Sequence, residues 1–282
     1  MTSGRKRISS PGELRAELSR RNLERAAGFE HELTYGRVPS VLYTPQPRCP
    51  EGKPALHGNF LAASYRSILA DPEWEKRLRK AYSASRYVAR SWERQRRELD
   101  CANSSDALLM NIFCYPGALR RPGLCALLGI EPGRRPVFGF KPGIPLLNGR
   151  ADRTEIDMSL GPLLVEAKLT EGAQRISLER LLRYRDLEEV FEVEELPVTQ
   201  GVLRAGQLVR GVLAAHQLGR SFLLLSDERR ADLVESWFQV LRAVRTSDLR
   251  SRLVILSWQE LAATLAAQVQ VFLSEKYGII AA

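Results

Sequence analysis

The chain has few cysteines and no long apolar run. Its four cysteines are spread over 282 residues, and none forms a Cys-x-x-Cys pair, so the usual zinc and dithiol redox motifs are absent. We therefore expect reduced cysteines and a cytoplasmic location. The first residues contain no apolar core of the kind found in a secretory signal. No window of about 18 apolar residues occurs, so no membrane association is expected.

Motifs for nucleotide-dependent and serine-hydrolase chemistry are missing as well. The sequence contains neither a P-loop nor a Gly-x-Gly-x-x-Gly turn, so nucleotide use is not indicated. No serine lies in a Gly-x-Ser-x-Gly context, which is the signature of a hydrolase nucleophile elbow. The three histidines, His31, His57 and His216, are scattered, and we interpret them as structural residues.

Positive charges outnumber negative charges in the chain. The chain has 42 Lys and Arg against 33 Asp and Glu, a formal net charge of +9, and a pI near 9.6. A positive field attracts polyanions such as nucleic acid, anionic lipid or an acidic protein. Solubility alone also explains a basic composition. The positive charge therefore favours an anionic partner but does not distinguish between nucleic acid, lipid and protein.

The sequence divides into an N-terminal basic, mainly helical region over residues 1–100 and a core region over residues 101–282. Residues 72–99 predict one long helix with many cations and interleaved aromatic residues. One interpretation is a face that contacts DNA phosphates, formed by Arg79, Arg86, Arg90 and Arg94. The alternative is a solvated surface helix whose aromatic side chains pack inward.

Short apolar runs alternate with helical patterns in the second region. Two strands flank a Gly161-Pro162 turn, and helices are predicted over residues 173–191, 200–219, 230–244 and 259–278, with strands over residues 221–227 and 252–258. A hairpin followed by alternating helices and strands predicts an α/β fold, a mixed sheet flanked by helices.

The hairpin segment IDMSLGPLLVEAKL carries charges inside an apolar pattern. Side chains alternate between the two faces of a strand. Glu166 and Lys168 therefore share one face, roughly 7 Å apart along the strand, whereas Val165 and Ala167 share the other. If the apolar faces of both strands point to one core, Asp157 joins Glu166 and Lys168 on the opposite side.

Two carboxylates and an ammonium group suit phosphodiester hydrolysis. Carboxylate oxygens are ligands that Mg²⁺ prefers, and a bound metal ion stabilises charge on a phosphate and lowers the pKa of a bound water. A neighbouring lysine can orient or deprotonate the attacking water, or stabilise the transition state. Asp157, Glu166 and Lys168 are therefore the candidate catalytic residues.

The spacing Asp157-x8-Glu166-Ala167-Lys168 resembles the signature of the PD-(D/E)xK nuclease superfamily, which has the restriction-endonuclease-like fold. The superfamily pattern has a proline before the first acid, and this chain has Ile156 there. The resemblance implies a DNA endonuclease that uses Mg²⁺ or Mn²⁺, with Asp157 and Glu166 as metal ligands. It covers the second region and hardly any of the first 100 residues.

The resemblance also implies further site residues. The Ala167 carbonyl would add a metal ligand, and Gln207 would lie on a helix that faces the catalytic site. An acid on a helix before the hairpin often completes such sites, and Asp106 is the candidate, with Glu98 and Asp100 as alternatives. Arg204 and Arg210, on the same segment as Gln207, would contact phosphate, or are simply surface charges.

Two other classes of function remain open. One is a non-catalytic nucleic-acid-binding protein that keeps the nuclease fold. The other is an unrelated basic interaction protein in which the hairpin charges pair with each other. DNA is the expected substrate, with RNA as an alternative, and a homodimer would suit cleavage of both strands.

Overall fold

The computed structural model describes residues 10–35, 37–46, 55–81, 97–172 and 174–282. The helices in these ranges are α1 (Pro11–Ala26), α2 (Ala62–Ala70), α3 (Pro72–Arg77), α4 (Ser105–Phe113), α5 (Pro122–Leu128), α6 (Leu178–Leu181), α7 (Leu187–Val190), α8 (Gly206–Leu218), α9 (Ala231–Ala243), α10 (Ser247–Ser251), α11 (Trp258–Ala263) and α12 (Ala267–Tyr277). The strands are β1 (His31–Leu33), β2 (Val41–Tyr43), β3 (Val137–Phe140), β4 (Ile144–Pro145), β5 (Ala151–Asp152), β6 (Ile156–Leu160), β7 (Leu163–Ala167), β8 (Ile176–Ser177), β9 (Val198–Thr199), β10 (Val202–Leu203), β11 (Ser221–Ser226) and β12 (Leu253–Ser257).

The protein is an α/β protein built on a five-stranded mixed sheet, in the order β12-β11-β7-β6-β3. Strands β7, β11 and β12 are parallel, and β6 is antiparallel to both β7 and β3. The predicted mixed sheet flanked by helices is thus confirmed. None of the helices in the described ranges is both long and apolar enough to cross a membrane.

The chain forms two compact units. Among the described residues, one unit contains Ser10 and the residues between 128 and 257, and therefore the whole five-stranded sheet. The other contains the described residues between 11 and 127 together with residues 258–282, so that α12 packs against α1 there. The predicted boundary at residue 100 stays a prediction, because compactness alone does not define a functional domain.

The hairpin β6–β7 forms where the alternating pattern predicts it. Gly161 provides the left-handed backbone of the turn, with φ of 58°, a conformation that glycine adopts without steric cost. All five residues of β7 are buried, because this strand lies in the middle of the sheet between β6 and β11. Glu166 is therefore enclosed in the same way as the apolar residues of β7, whereas Asp157 in β6 is half-buried.

Two helix predictions are wrong, and two more are wrong in part. Helix α8 begins only at Gly206, because residues 202–203 form strand β10, and the helix expected over residues 259–278 is divided into α11 and α12. The first two predictions fail for the same physical reason. The helix expected over residues 72–99 ends at Arg77, and Ala81 pairs with Arg97 in an isolated bridge. Residues 82–96 lie outside the described ranges. The helix expected over residues 173–191 is broken, since the backbone of Arg183 and Arg185 bonds to the segment that contains β4. In both places a pairing with a distant segment replaces the local helical hydrogen bonds.

Helix α8 packs closely on β11 through a glycine. A Cβ atom on Gly211 would lie 2.1 Å from the ring of Phe222, a core residue whose ring centroid is 6.0 Å from that of Trp237. The helix ends as predicted at Gly219, which has φ of 61°. A small residue at position 211 therefore sets the distance between helix and sheet.

Gly211→Ala should destabilise the protein. The added methyl group must displace the buried Phe222 ring, and overpacking of this kind costs about 1–3 kcal/mol, partly offset by a gain of about 1 kcal/mol in helix propensity. Urea unfolding measures the change. Gly123→Ala is the control, because its Cβ would meet nothing closer than 3.8 Å. An equal effect of both substitutions would contradict the packing argument.

Candidate active site

The antiparallel register places Asp157 opposite Glu166. Met158 pairs with Val165, and Ser159 pairs with Leu164, so the next position along each strand brings the two acids to facing positions. Cross-strand partners lie on the same face of a sheet. The predicted convergence of the two carboxylates rests on this register, and the alternation in the sequence was sufficient to find it.

The Asp157 carboxylate accepts a backbone hydrogen bond just beyond the last regular residue pair of the hairpin. The last regular pair of the hairpin is Met158 with Val165, and the next backbone N–H, that of Ala167, donates to Oδ2 of Asp157 at 2.8 Å. A side chain thus replaces a main-chain acceptor at the end of the hairpin. The contact fixes the Asp157 carboxylate beside the end of β7.

Glu166 and Lys168 form a buried ion pair. Nζ of Lys168 donates to Oε1 of Glu166 at 2.5 Å, and the two side chains are only 7% and 3% exposed. The backbone N–H of Lys168 donates to the carbonyl of Leu225 in the neighbouring strand β11 at 2.8 Å. Both charged side chains therefore belong to the rigid centre of the sheet.

The surroundings of Lys168 keep its ammonium group charged. Burial by itself lowers the pKa of Lys168, but the negative charges of Glu166, Asp157 and Glu171 outweigh that effect. The pKa of Lys168 therefore lies above its usual value. At neutral pH this side chain is a cation, so in this state it can attract a phosphate or orient water but cannot accept a proton.

The chemistry of the donor set fits a hard divalent cation. Asp157 and Glu166 offer carboxylate oxygens from two rigid strands, and Mg²⁺ is typically held by one or two carboxylates with several waters. Among the residues that the structure describes, no three or more His, Cys, Asp or Glu side chains are grouped so as to hold a metal ion. The fit therefore rests on two carboxylates.

Sequence reasoning missed a third acid beside the lysine. Glu171 lies in the loop after β7, and its Oε2 accepts a hydrogen bond from the backbone N–H of Leu169 at 2.8 Å. Its charge is one of those that raise the pKa of Lys168. The segment from Lys168 to Glu171 carries no motif, and only its position directly after the acid-x-lysine pattern could have indicated it.

Each of the three acids considered upstream of the hairpin has a polar side-chain partner within its own unit. Asp106, in the first turn of α4, accepts from Arg77 at 2.9 Å and from Lys80 at 2.7 Å. Glu98 also pairs with Lys80, at 3.1 Å, and Asp100 pairs with a histidine, His57. Each of these contacts satisfies the carboxylate without a metal ion. The role of Asp106 as a metal ligand remains a prediction.

Gln207 lies in the first turn of α8 and is half-buried. The helix packs on β7 and β11 and leads directly into β11, which is parallel to β7. Its first turn therefore lies toward the end of β7 that carries Lys168. This placement is compatible with the predicted position of Gln207 at the site.

The predicted phosphate-binding arginines differ in exposure. Arg79 has a 72% exposed side chain, 3.6 Å from Glu75, and Arg204 is exposed. Arg210 is only 5% exposed and donates to Gln174, which favours an internal role over a phosphate contact. The other three, Arg86, Arg90 and Arg94, lie outside the described residues.

The fold and the hairpin define a class, that of restriction-endonuclease-like α/β proteins. The family model of the restriction endonuclease associating with ARP, REase-ARP, matches residues 22–278. The chain belongs to this family, which is consistent with the superfamily resemblance predicted from the hairpin motif. Membership indicates a nuclease. No curated protein and no solved structure matched the chain.

Removing the charge of Lys168 alone should lower the free energy of unfolding more than removing both charges of the Glu166–Lys168 pair. Lys168→Met leaves the buried Glu166 carboxylate without its cation, and loss of one partner of a buried pair typically costs about 3–5 kcal/mol. The double variant Glu166→Gln, Lys168→Met buries no unpaired charge and should recover most of that loss. Chemical denaturation of the three proteins measures it. A double variant less stable than Lys168→Met would contradict this account.

Protonation of Asp106 at low pH should lower the free energy of unfolding of the protein. Burial raises the pKa of Asp106, but Arg77 and Lys80 outweigh it, so the folded-state pKa lies below the usual value. The resulting stabilisation is present above the unfolded-state pKa of about 3.9 and is lost as pH falls through the folded-state pKa. Asp106→Asn should therefore be less stable at pH 7, with a difference that shrinks below about pH 4. Thermal unfolding across pH tests this, and a constant difference would refute it.

Proposed function

We propose that the protein is an endonuclease that hydrolyses DNA phosphodiester bonds with the help of a divalent metal ion. The observation that carries the proposal is the convergence of Asp157, Glu166 and Lys168 at the end of the central hairpin. The family match independently indicates a nuclease. Together they favour catalysis over the alternative of a non-catalytic nucleic-acid-binding protein with the same fold.

Asp157 and Glu166 would hold the metal ion, Mg²⁺ or Mn²⁺, and the carbonyl of Ala167 is the third candidate ligand. When bound, the ion would stabilise negative charge on the scissile phosphate and lower the pKa of a bound water. The two side chains come from adjacent strands, so their separation is fixed before substrate arrives. Such preorganisation spares the site a cost of ordering when DNA binds.

Lys168 would serve as the cation of the site. Because its pKa is raised, its ammonium group is charged and can hold the attacking water or the non-bridging phosphate oxygens in place. Its bond to Glu166 fixes the direction of the side chain. Gln207, toward the same end of β7, would position the DNA or the water.

The positive charge of the chain would supply affinity for the DNA backbone. The net charge of +9 favours polyanions, and the exposed Arg79 and Arg204 are available for phosphate contacts. Arg86, Arg90 and Arg94 stay candidates from the sequence. A homodimer would bring two sites to the two strands of a duplex. The family description also names an association with ARP, so we include a protein partner in the proposal.

Purified protein should nick supercoiled plasmid DNA in the presence of Mg²⁺ and lose this activity in EDTA. Asp157→Asn, Glu166→Gln and Lys168→Met should each lower the cleavage rate by about a hundredfold or more, because each removes charge stabilisation from the transition state. Agarose gel electrophoresis of the nicked and linear products gives the rates. Glu179→Gln is the matched control, because the Glu179 side chain is 81% exposed and pairs only with the exposed Arg183, four residues further along the chain, among the ion pairs of the described residues.

Three experimental outcomes distinguish the proposed nuclease from the alternative functions. Salt-sensitive DNA binding without cleavage in any divalent metal would support the non-catalytic alternative. Cleavage that persists in Asp157→Asn and Glu166→Gln would show that the chemistry lies elsewhere. The absence of DNA binding at low salt would remove both nucleic-acid functions.

A further inference from the structure

A fully buried arginine lies next to the loop that leaves the candidate site. Arg230 immediately precedes α9, and its side chain is 0% exposed. A buried guanidinium group is tolerated only where its charge and its N–H donors are satisfied. Its partners therefore identify what this residue stabilises.

Two of these partners are backbone carbonyls of the loop that follows β7. Nη1 of Arg230 donates to the carbonyl of Leu169 at 2.7 Å, and Nη2 donates to the carbonyl of Glu171 at 3.1 Å. These residues come one and three positions after Lys168. The guanidinium group of Arg230 thus binds the backbone directly after Lys168.

The carboxylate of Asp232 holds Arg230 in this orientation. Nε and Nη2 of Arg230 donate to the two oxygens of Asp232, each at 2.8 Å. A bidentate pair of this kind fixes the plane of a guanidinium group. Asp232, in the first turn of α9, has a side chain that is 46% exposed, so Asp232→Asn removes the negative charge beside Arg230 without removing side-chain volume from the core.

The loop is fixed from both sides of Lys168. On the strand side, the N–H of Lys168 donates to the carbonyl of Leu225 at 2.8 Å. On the loop side, the N–H of Leu169 donates to Glu171 at 2.8 Å, while Arg230 holds both carbonyls. Without Arg230 the carbonyls of Leu169 and Glu171 would lose these donors, whereas the bond from Lys168 to Leu225 would remain.

We propose that Arg230 is a positioning residue for the candidate nuclease reaction, which acts by holding the loop Leu169–Glu171 so that Lys168 stays aimed at Glu166. The inference rests on the proposed function. Arg230 is buried and does not contact DNA itself. Lysine cannot replace it, because a single ammonium group lacks the planar fork that reaches two carbonyls and a carboxylate together.

Arg230→Lys and Asp232→Asn test this role. Both should lower kcat for plasmid cleavage between about tenfold and a hundredfold, because small misplacements of a catalytic group cost that much. KM for DNA should change by less than about threefold, since no contact with DNA is removed. Asp232→Asn serves as the second variant because it loosens Arg230 from an exposed position.

Arg245→Lys is the matched control. Arg245 also donates to a backbone carbonyl, that of Phe191 at 3.1 Å, and pairs with a carboxylate, that of Glu192 at 3.0 Å. The Arg245 side chain is 44% exposed, so the free energy of unfolding should fall less in this control than in Arg230→Lys, and kcat should not fall. Rates are expressed per DNA-binding-competent protein, determined by titration with DNA in EDTA, so that partial unfolding does not imitate a catalytic defect.

The results separate this inference from the proposed function. Wild-type protein that cleaves no DNA would overturn the proposed function. Active wild-type protein with an undiminished kcat in both Arg230→Lys and Asp232→Asn would overturn the positioning role alone. An equal loss of kcat in Arg245→Lys would also overturn it, because the effect would then follow from lost stability.

Discussion

The candidate site depends on one buried ion pair, that between Glu166 and Lys168. Neither side chain could remain charged alone in the middle of a sheet, because desolvation of an unpaired charge costs several kcal/mol. Together they are tolerated only where strands on both sides hold them rigidly. The central position of β7 supplies that rigidity, and the backbone N–H of Ala167 at its end holds the carboxylate of Asp157.

Much of this arrangement is predictable from the sequence, because a strand has a side-chain period of two. The turn at Gly161 and the apolar alternation in each strand fix the register, and the register brings Asp157 opposite Glu166. The class of fold follows from the order of helices and strands after the hairpin. In these respects local pattern and final structure agree, as expected for the most regular part of a protein.

The parts that sequence reasoning missed depend on contacts between distant segments. Residues 182–186 have the composition of a helix, but they pair with the segment that contains β4. Arg230 occurs in an ordinary charged stretch, and nothing in its neighbours along the chain indicates that it bonds to carbonyls 59 and 61 residues away. Asp106 illustrates a different case. Its role as a metal ligand was implied by the superfamily resemblance and stays a prediction, whereas its partners in the structure are two cations of its own unit.

The charge balance of the site provides the last link between structure and chemistry. Burial alone would lower the pKa of Lys168, yet the negative charges of Glu166, Asp157 and Glu171 outweigh that effect and raise the pKa. In the proposed reaction, Asp157 and Glu166 are also the carboxylates that would hold the divalent cation. A cation bound there would therefore lie beside an ammonium group that already donates to one oxygen of Glu166.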